Sequence, residues 1–330
     1  MSFYVGMDVG GTHARLKVAN GLGETLYEAE SAGGTISSSG HEVMRRRFEH
    51  LLVTALQKLK VRASDCCGLC LSAAGVDSRD LQLQYERILT DIGFPSEKIA
   101  VINDGELLLS VLPAPCIVLI AGTGSIALGK KNNGDIIRCG GWDFVLSDEG
   151  SAAAIGLEIM QAVLKNWDQQ ESCALLACLF SDATGFTCPE QVVDFFHENW
   201  RQKDRIAQLA PIAHKAAIGG DTCATWILSH ASEQLFSLMT SIHNQLAPSQ
   251  GPISTLFWGS VLEHNEIITD TLYRQIKLMD APTRIYRLTF SALDVAVREA
   301  MGESLVGLTE EIKPKESGVS KIVNSIAEND

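Results

Sequence analysis

Apolar residues occur in short runs through the first 40 positions of the chain. The runs Phe3–Asp8 and His13–Asn20 flank Gly10-Gly11-Thr12, which predicts two strands joined by a glycine turn. Thr25–Ala29 predicts a third strand, and Ser31–Gly40 is a Gly/Ser-rich loop. We therefore expect the chain to open with a hairpin followed by one more strand.

The apolar period then lengthens. From about Gly40 to Lys60, apolar residues recur at helical spacing. The other elements predicted before Gly150 are strands at Cys66–Ser72, Ile99–Asn103, Cys116–Ala121 and Ile126–Gly129, with a helix between the first two. The last two strands flank the turn Gly122-Thr123-Gly124-Ser125.

After Gly150 the pattern is mainly helical. Helices are predicted at Ser151–Lys165, Glu171–Phe180, Pro189–Trp200, Asp204–Ala217, Asp221–Ala247, His264–Met279 and Ser291–Met301. Strands are predicted at Ile253–Trp258 and Arg284–Arg287. The polar stretch from Thr309 is predicted to be partly disordered.

The two glycine hairpins resemble each other. Val5–Thr12 and Val118–Ser125 are each an apolar strand that runs into a Gly/Thr turn and then into a second strand. This internal repetition predicts two lobes of like construction that face one another. The alternative is a pair of unrelated hairpins.

Composition bounds the class of protein. The 330 residues are enough for two domains, and 46% hydrophobic with 20% charged residues is typical of a globular chain. Lys and Arg number 27 against 40 Asp and Glu, a net charge of −13. Such a chain has no general attraction to nucleic acid or to an anionic membrane, so a polyanionic ligand must be held by local devices.

The cysteines and the N-terminus indicate a cytoplasmic protein. Nine cysteines, an odd number with no regular spacing, are typical of a reducing compartment. The pair Cys67 and Cys70 lies in a predicted strand, so we interpret both as core residues, with a metal or redox role as the alternative. Residues 1–8 show no basic segment of a signal peptide.

One uncharged stretch, Leu107–Gly129, is long enough to span a bilayer. Pro113 and Pro115 interrupt its first half, and Gly122 to Ser125 interrupt its second. We therefore predict the end of a helix, a strand and turns here, and no membrane span.

Two glycine-rich turns are candidates for phosphate binding. In Asp8-Val-Gly-Gly-Thr12, the glycines let backbone N–H groups approach a phosphate while the acid holds a metal ion or water. The segment Gly122-Thr-Gly-Ser125 follows the same logic without the acid. A plain hairpin turn is the alternative for the first.

Two further segments place acids at element ends. Asn103-Asp104 ends an apolar strand, where α/β sheets bind ligands, although Asp104 would also serve as a helix N-cap. Asp148 and Ser151 precede a predicted helix and have the same alternative. Gly140-Gly141-Trp142 beside them would suit a sugar, with an aromatic wall and bare backbone.

Taken together, these motifs resemble the N-acetylglucosamine kinase family in their order and spacing. The set is Asp8-x-Gly-Gly-Thr12, Asn103-Asp104, Gly122-Thr-Gly-Ser125 and Gly140-Gly-Trp142 with Asp148-Glu-Gly-Ser151. That family is part of the BadF/BadG/BcrA/BcrD-type ATPase branch of the actin-like, sugar kinase and Hsp70 superfamily. The resemblance extends from Phe3 to Met301.

The resemblance implies an α/β fold of two ribonuclease-H-like (actin-like ATPase) lobes, with an active-site cleft between them. The lobes would be residues 1–112 and 113–330, with a helix at about 291–301 that packs back on the first lobe. The implied cofactors are ATP and Mg²⁺. We also expect a homodimer.

By motif position, each residue receives an implied role. Asp8 would hold the metal, and Asp104 would be the general base on the sugar hydroxyl. ATP and its phosphates would contact Gly10, Gly11, Thr12, Gly122, Thr123, Gly124, Gly259 and Ser260. The sugar would contact Ser72, Asn103, Asp104, Gly141, Trp142 and Asp148.

The chain also departs from the family pattern. Asp143 and Ser147 replace glycines common in the signature, Trp258 precedes Gly259 where two glycines are usual, and Ile126 stands where animal amino-sugar kinases often place an amide. These departures leave the identity of the sugar open.

The sequence therefore predicts ATP-dependent, in-line phosphorylation of the 6-hydroxyl of N-acetylglucosamine or glucosamine. A kinase for glucose or another hexose is the first alternative. The second is an ATPase that activates a dehydratase through an iron–sulfur cluster, for which Cys116 and Cys139 are the candidate ligands. The third is a sugar-binding protein without turnover.

Overall fold

The computed structural model describes residues 2–11, 13–170, 172–246, 251–279 and 283–312. Thr12, Glu171, Ala247 and the tail from residue 313, each part of a prediction above, lie outside these residues. The described chain divides into two compact units. The first takes the described residues of Met1–Pro113 and Leu288–Glu310, and the second takes those of Ala114–Arg287 and Glu311–Asp330.

The first unit begins with three strands and then alternates helices and strands. Its elements in chain order are β1 (Phe3–Val9), β2 (His13–Asn20), β3 (Thr25–Ala32), α1 (Ile36–Ser39), α2 (His41–Leu59), β4 (Cys66–Ala73), α3 (Arg79–Ile92), β5 (Ile99–Asn103) and α4 (Asp104–Leu109). Single 3₁₀ turns at Ala63–Asp65 and Ser96–Lys98 precede β4 and β5.

The second unit also begins with three strands, followed by a long helical segment. Its elements are β6 (Cys116–Ala121), β7 (Ser125–Lys130), β8 (Ile136–Gly140), α5 (Ala152–Trp167), α6 (Ala174–Thr184), α7 (Pro189–Asn199), α8 (Lys203–Ala207), α9 (Ala210–Ile218), α10 (Thr222–Gln245), β9 (Ile253–Trp258), α11 (Ser260–His264), α12 (Glu266–Lys277) and β10 (Thr283–Leu288). The chain then forms α13 (Ala292–Ala300) and the short strand β11 (Thr309–Glu311).

The two units share one strand arrangement. The sheet orders are β3-β2-β1-β4-β5 and β8-β7-β6-β9-β10, with β11 beside β10 in the second. In the first sheet, β1, β2 and β3 pair antiparallel, and β4 and β5 run parallel to β1. In the second sheet, β6, β7 and β8 pair antiparallel, and β9 and β10 run parallel to β6. The α/β fold with two lobes of like construction is therefore confirmed, and the interpretation as two unrelated hairpins is wrong.

Each unit has its own apolar core. In the first, α2 buries Met44, Phe48 and Leu52 on one face, at the helical spacing that the sequence shows. In the second, α10 buries a longer stripe that includes Leu228, Leu235 and Ile242. The strands that lead into the candidate site residues, β1, β4 and β5 in the first unit and β6 and β9 in the second, contribute buried residues to these cores.

The helix α13 packs on the sheet of the first unit, against β1 and β4. Two glycines permit the close approach. A Cβ at Gly6 would lie 2.6 Å from Val297 Cγ2, and a Cβ at Gly68 would collide with the carbonyl oxygen of Ala300. The first turn of α13 is fixed by a capping box between Ser291 and Asp294.

Several element predictions are corrected. The helix predicted at Asp204–Ala217 is two helices, α8 and α9, because Pro211 occupies the first turn of the second. The helix predicted at His264–Met279 is likewise α11 and α12, separated at Asn265, which caps α12. The predictions omitted β8, β11 and α1, which lies within the predicted loop Ser31–Gly40, because such short runs have weak periodicity.

The cysteine interpretation also changes. Cys173 and Cys223 form a disulfide, although the irregular spacing predicted no such pairing. It joins the residue before α6 to the first turn of α10. The carboxylate of Asp221 links the same two helix ends, since it accepts hydrogen bonds from the N–H groups of Leu176 and Ala224, both at 2.9 Å. Cys67 and Cys70 lie in β4 as predicted.

Among the described residues, no helix has the length and apolarity that crossing a membrane would require. The uncharged stretch Leu107–Gly129 contains the end of α4, the strand β6 and the start of β7.

Candidate active site

The first unit gathers polar side chains at one edge of its sheet. β1, β4 and β5 run parallel, so their carboxyl ends meet at that edge. Asp8 lies opposite Ser72 on the neighbouring strand, and Ala73 lies opposite Asn103 on the next. Adjacent strands are about 4.8 Å apart, so these predicted site residues share a small region. Ser72 is buried, with 1% of its surface exposed.

The helix that follows β5 is capped by Asn103, not by Asp104. The Oδ1 of Asn103 accepts a hydrogen bond from the N–H of Gly105 at 2.9 Å, and its Nδ2 donates to Asp77 Oδ1 at 3.0 Å. Asp104 is the first residue of α4, and its own carboxylate also accepts from the Gly105 N–H at 2.9 Å. The interpretation of Asp104 as the N-cap is therefore wrong, although its Oδ1 shares the Gly105 N–H with Asn103.

The environment of Asp104 opposes its ionisation. The pKa of its carboxyl is raised from 3.8 to about 6, with burial as the largest cause. The N–H of Gly105 lowers this pKa, and the carboxylates of Asp8 and Asp77 add to the rise. A carboxyl group with a pKa near 6 is ionised at neutral pH yet basic enough to accept a proton. Asp104 thus has the properties of a general base.

Asp8 provides a carboxylate where a divalent cation would be stabilised. Burial raises its pKa, which the Arg15 guanidinium partly offsets. The carboxylate of Asp8 lies close enough to Asp104 to contribute to the raised pKa of that residue. Among the described residues, no group of three or more potential metal ligands lies together, so Asp8 would need ligands from outside the protein. Mg²⁺ is typically held by one or two carboxylates together with phosphate oxygens and water, so Asp8 fits that ion.

The first glycine turn follows Asp8 directly. The N–H of Gly10 donates to the carbonyl of His13 at 2.9 Å, and the carbonyl of Gly10 accepts from Gly34 N–H at 2.9 Å. Gly11 is exposed, and a Cβ there would meet no atom within 4 Å. The backbone at Gly11 is therefore accessible to a ligand, whereas both backbone groups of Gly10 are already hydrogen-bonded, and Thr12 lies outside the described residues.

In the second unit, the turn Gly122–Gly124 is tied to the start of α5. The N–H groups of Ala152 and Ala153 donate to the carbonyls of Gly122 and Thr123, at 2.8 and 3.3 Å. The Ser125 hydroxyl donates to the carbonyl of Glu149 at 2.6 Å. Ser125 and Glu149 are 24 residues apart in the chain, so this bond joins the two predicted motifs into one structure. The hydroxyl of Ser151 caps α5.

Gly259 brings a third segment to the same turn. β9 runs parallel to β6, and the residue after β9 has φ +103°. A Cβ at Gly259 would lie 2.5 Å from the carbonyl oxygen of Ala121, so only glycine fits. The structure thus places Gly259 and Ser260 beside Gly122.

The segment Gly140–Trp142 is organised by a residue that the sequence did not single out. The Arg138 guanidinium donates to the carbonyls of Gly140 and Gly141 and lies 4.0 Å from the centre of the Trp142 ring. Trp142 is still 66% exposed. A bound sugar could therefore stack on the indole while Arg138 fixes the ring.

The departures from the family pattern have local explanations. A Cβ at Gly141 would lie 2.9 Å from the side chain of Ile126, so this side chain packs directly against the turn. Asp143 adopts φ +123°, a conformation that favours glycine, and its carboxylate accepts from the N–H of Phe144 at 2.7 Å. Ser147 donates to Glu149 at 3.2 Å.

Asp148 is buried and ion-paired. Its side chain is 3% exposed, and its Oδ2 lies 3.0 Å from the Nζ of Lys203. Its backbone has φ +65°. Because Ser151 caps α5, the expectation that Asp148 caps the helix is wrong.

Sequence reasoning missed the residues that position the predicted ones: Asp77, Arg138 and Lys203. Each acts across a turn or a long stretch of chain, 55 residues for Lys203 and Asp148. Of the candidate cluster ligands, Cys116 is completely buried in β6, and burial raises the pKa of its thiol to about 11. It does not offer the exposed thiolate that a cluster between subunits requires.

Comparison with known proteins gives a family match and several relatives. The family model of the BadF/BadG/BcrA/BcrD ATPase family matches residues 5–287. The N-acetylmuramic acid/N-acetylglucosamine kinase of Clostridium acetobutylicum is 27% identical over 280 residues, which cover 84% of this chain and 91% of that protein. The N-acetyl-D-glucosamine kinase of Dictyostelium discoideum is 26% identical over 285 residues, covering 83% and 89%.

A solved structure supports the fold. The crystal structure of a proposed N-acetylglucosamine kinase from Chromobacterium violaceum matches with a TM-score of 0.72 at 24% identity. The match covers 91% of this chain and 98% of that one.

Proposed function

The chain belongs to the BadF/BadG/BcrA/BcrD ATPase family, and from this premise we propose that it is an ATP-dependent sugar kinase. Its substrate is an amino sugar, N-acetylglucosamine or glucosamine, which it phosphorylates on the 6-hydroxyl. The observation that carries the proposal is the carboxylate of Asp104, which follows the N-cap Asn103 at the carboxyl end of β5 and whose pKa is raised to about 6. The names of the relatives from Clostridium acetobutylicum and Dictyostelium discoideum support the substrate class.

In the proposed reaction, the sugar hydroxyl attacks the γ-phosphorus of ATP in line with the leaving group. The bond between the γ-phosphorus and the β–γ bridging oxygen breaks, ADP leaves, and the hydroxyl proton passes to the carboxylate of Asp104. Such a transfer needs little covalent help from the protein. The chain contributes to the reaction mainly by positioning the two reactants and by providing a base.

The phosphates are held by backbone. The proposal assigns them to Gly10, Gly11 and Thr12 in the first unit and to Gly122–Gly124 in the second, with Gly259 and Ser260 near the adenosine. Glycine turns suit this role because a chain of net charge −13 attracts no polyanion by itself. Asp8 would hold Mg²⁺, which neutralises phosphate charge when bound.

The sugar is held by a carboxylate and an aromatic wall. Asp148 accepts hydrogen bonds from sugar hydroxyls, and Trp142 with the backbone of Gly141 lines the site. Since both ends of the Asn103 side chain are already engaged, its contribution is to orient Asp77 and α4. Ser72, which is buried and lies opposite Asp8 on the neighbouring strand, would act in the same indirect way.

The test is ADP release from MgATP with a panel of N-acetylglucosamine, glucosamine and glucose, followed by NMR of the product. We expect turnover with an amino sugar and a phosphoester at carbon 6. The matched control is 6-deoxy-N-acetylglucosamine, which keeps the binding groups but lacks the acceptor and should release no ADP above background. A kcat/KM that favours glucose would assign the hexose alternative instead. No ADP release with any sugar would contradict the proposal.

A further inference from the structure

Lys203, the first residue of α8 in the second unit, forms an ion pair with Asp148, the carboxylate proposed to bind the sugar. We propose that Lys203 is a positioning residue for sugar recognition: its ammonium group saturates Oδ2 of Asp148 and thereby leaves Oδ1 directed to a hydroxyl of the sugar. The inference rests on the proposed sugar kinase function and deepens it.

The geometry of the pair supports this role. Nζ of Lys203 lies 3.0 Å from Oδ2 of Asp148, whose side chain is 3% exposed, whereas that of Lys203 is 45% exposed. An ionised carboxylate is expensive to bury without a partner. Lys203 provides this partner, and one short contact of this kind fixes one of the two carboxylate oxygens.

Two glycines make room for the pair. A Cβ at Gly124 would lie 2.7 Å from Oδ2 of Asp148 and 3.0 Å from Nζ of Lys203. The ion pair therefore lies directly against the predicted phosphate turn. Gly156, in the middle of α5, has no side chain where the backbone of Ile206 in α8 approaches, since a Cβ there would collide with the Ile206 carbonyl.

A glycine inside a helix costs about 1 kcal/mol relative to alanine, so its presence in α5 needs a reason. Here it allows α8 to pack on α5 with Ile206 fully buried. Because Lys203 is the first residue of α8, the same packing brings its side chain to Asp148. The helical segment thus contributes to the sugar site through one lysine.

Lys203→Met keeps the length of the side chain and removes the charge. We expect it to raise the KM for the sugar by roughly ten-fold or more, the usual effect of losing a charge-assisted hydrogen bond. The KM for ATP should change less than the KM for the sugar, because Lys203 is proposed to act on Asp148 and not on the nucleotide. Lys203→Gln, which keeps a donor, should give an intermediate sugar KM.

A double-mutant cycle separates positioning from a general effect. In the Asp148→Asn background, Lys203→Met should change the sugar KM by less than about two-fold, because there is no charge left to orient. Lys215→Met, on the exposed face of α9, is the matched control and should leave both KM values unchanged. Melting temperatures identify variants that are unfolded. The double variant, Asp148→Asn with Lys203→Met, has no unpaired buried charge, so it should fold and its KM can be measured.

Two results would overturn the inference. One is a sugar KM for Lys203→Met that stays within about two-fold of the parent. The other is a rise in the KM for ATP that is equal in both backgrounds, which would identify Lys203 as a direct phosphate contact. Sugar affinity is also measured by calorimetry, so a parent that binds sugar without releasing ADP contradicts the kinase proposal alone. A parent that binds no sugar contradicts both.

Discussion

Asp104 and Asn103 are neighbours with separate tasks. Asn103 satisfies the first turn of α4 and holds Asp77, whereas Asp104 is left with a raised pKa and like charges nearby. A carboxyl group in such a position lowers the stability of the fold at neutral pH, which is typical of a group kept for function.

We expect Asp104→Asn to reduce kcat by at least about 10²-fold, the usual contribution of a positioned base, while sugar and ATP still bind. Steady-state kinetics and calorimetry check this. Glu106→Gln, the same change at the other acidic residue in the first turn of α4, is the matched control and should retain far more activity. Turnover of Asp104→Asn within a few-fold of the parent would show that the base lies elsewhere.

The same carboxyl predicts two pH effects of opposite sign. As a base it must be ionised, so kcat/KM should fall as the pH drops through about 6, or lower where MgATP stabilises the ionised form. For stability, a folded pKa above the unfolded value of 3.8 means that the ionised form destabilises the fold above about pH 6.

Without ligands, Asp104→Asn should therefore melt at a higher temperature than the parent at pH 7. This difference should shrink as the pH falls from about 6 towards 4, because the parent carboxyl becomes protonated. Thermal melts across this range test the sign. A variant that is less stable than the parent at pH 7 would show that the charge of Asp104 stabilises the fold.

Among the elements, α13 depends on the smallest residues of the sheet beneath it. Leu293 and Val297 approach Gly6 of β1, Ala300 approaches Gly68 of β4, and these glycines set how near the helix can come. No propensity scale favours glycine in the middle of a strand, so its presence there is explained by this close approach.

We expect Gly68→Ala to destabilise the first unit by about 1–3 kcal/mol, the usual cost of overpacking, because a Cβ there meets the backbone of Ala300, which cannot rotate away. Urea denaturation followed by circular dichroism measures it. Gly21→Ala is the matched control, since a Cβ at Gly21 meets no atom within 4 Å, and should lie within about 0.5 kcal/mol of the parent. Equal stabilities for the two variants would contradict the packing argument.

Element prediction succeeded where the local pattern was strong. β2, β5, β6 and β9 have the bounds that the apolar runs indicate, and the long helices α2 and α10 differ by one or two residues. It failed where two helices share one continuous apolar period, as at Pro211 and Asn265, because periodicity does not register a change in helix axis.

At the scale of the whole molecule, the first unit is discontinuous in the chain. It needs Leu288–Glu310 as well as Met1–Pro113, although 174 residues (Ala114–Arg287) separate the two segments. The apolar face of α13 belongs to its core contacts, so the N-terminal segment alone leaves the matching face of β1 and β4 uncovered.

Residues 1–113 expressed alone should therefore fail to show a cooperative thermal transition. The same residues joined through a long Gly/Ser linker to residues 288–310 should fold, because the helix covers the sheet and excludes water from it. Circular dichroism and NMR dispersion distinguish the two. Val297→Asp in the linked protein is the control and should abolish folding, since Val297 is buried. A cooperative transition for residues 1–113 alone would refute the prediction.

The sequence by itself determined the strands and long helices, the two like-built hairpins and the positions of Asp8, Asp104 and the glycine turns. These features are local: a period of apolar residues or a glycine between two strands is visible within ten or twenty residues. Tertiary structure decided how Asn103 is held, which acid is ion-paired and which cysteines form a disulfide. Asn103 with Asp77, Asp148 with Lys203 and Cys173 with Cys223 are pairs separated by 26, 55 and 50 residues. A contact at such separation leaves no periodic signal in one sequence, because it is created by the packing of whole elements.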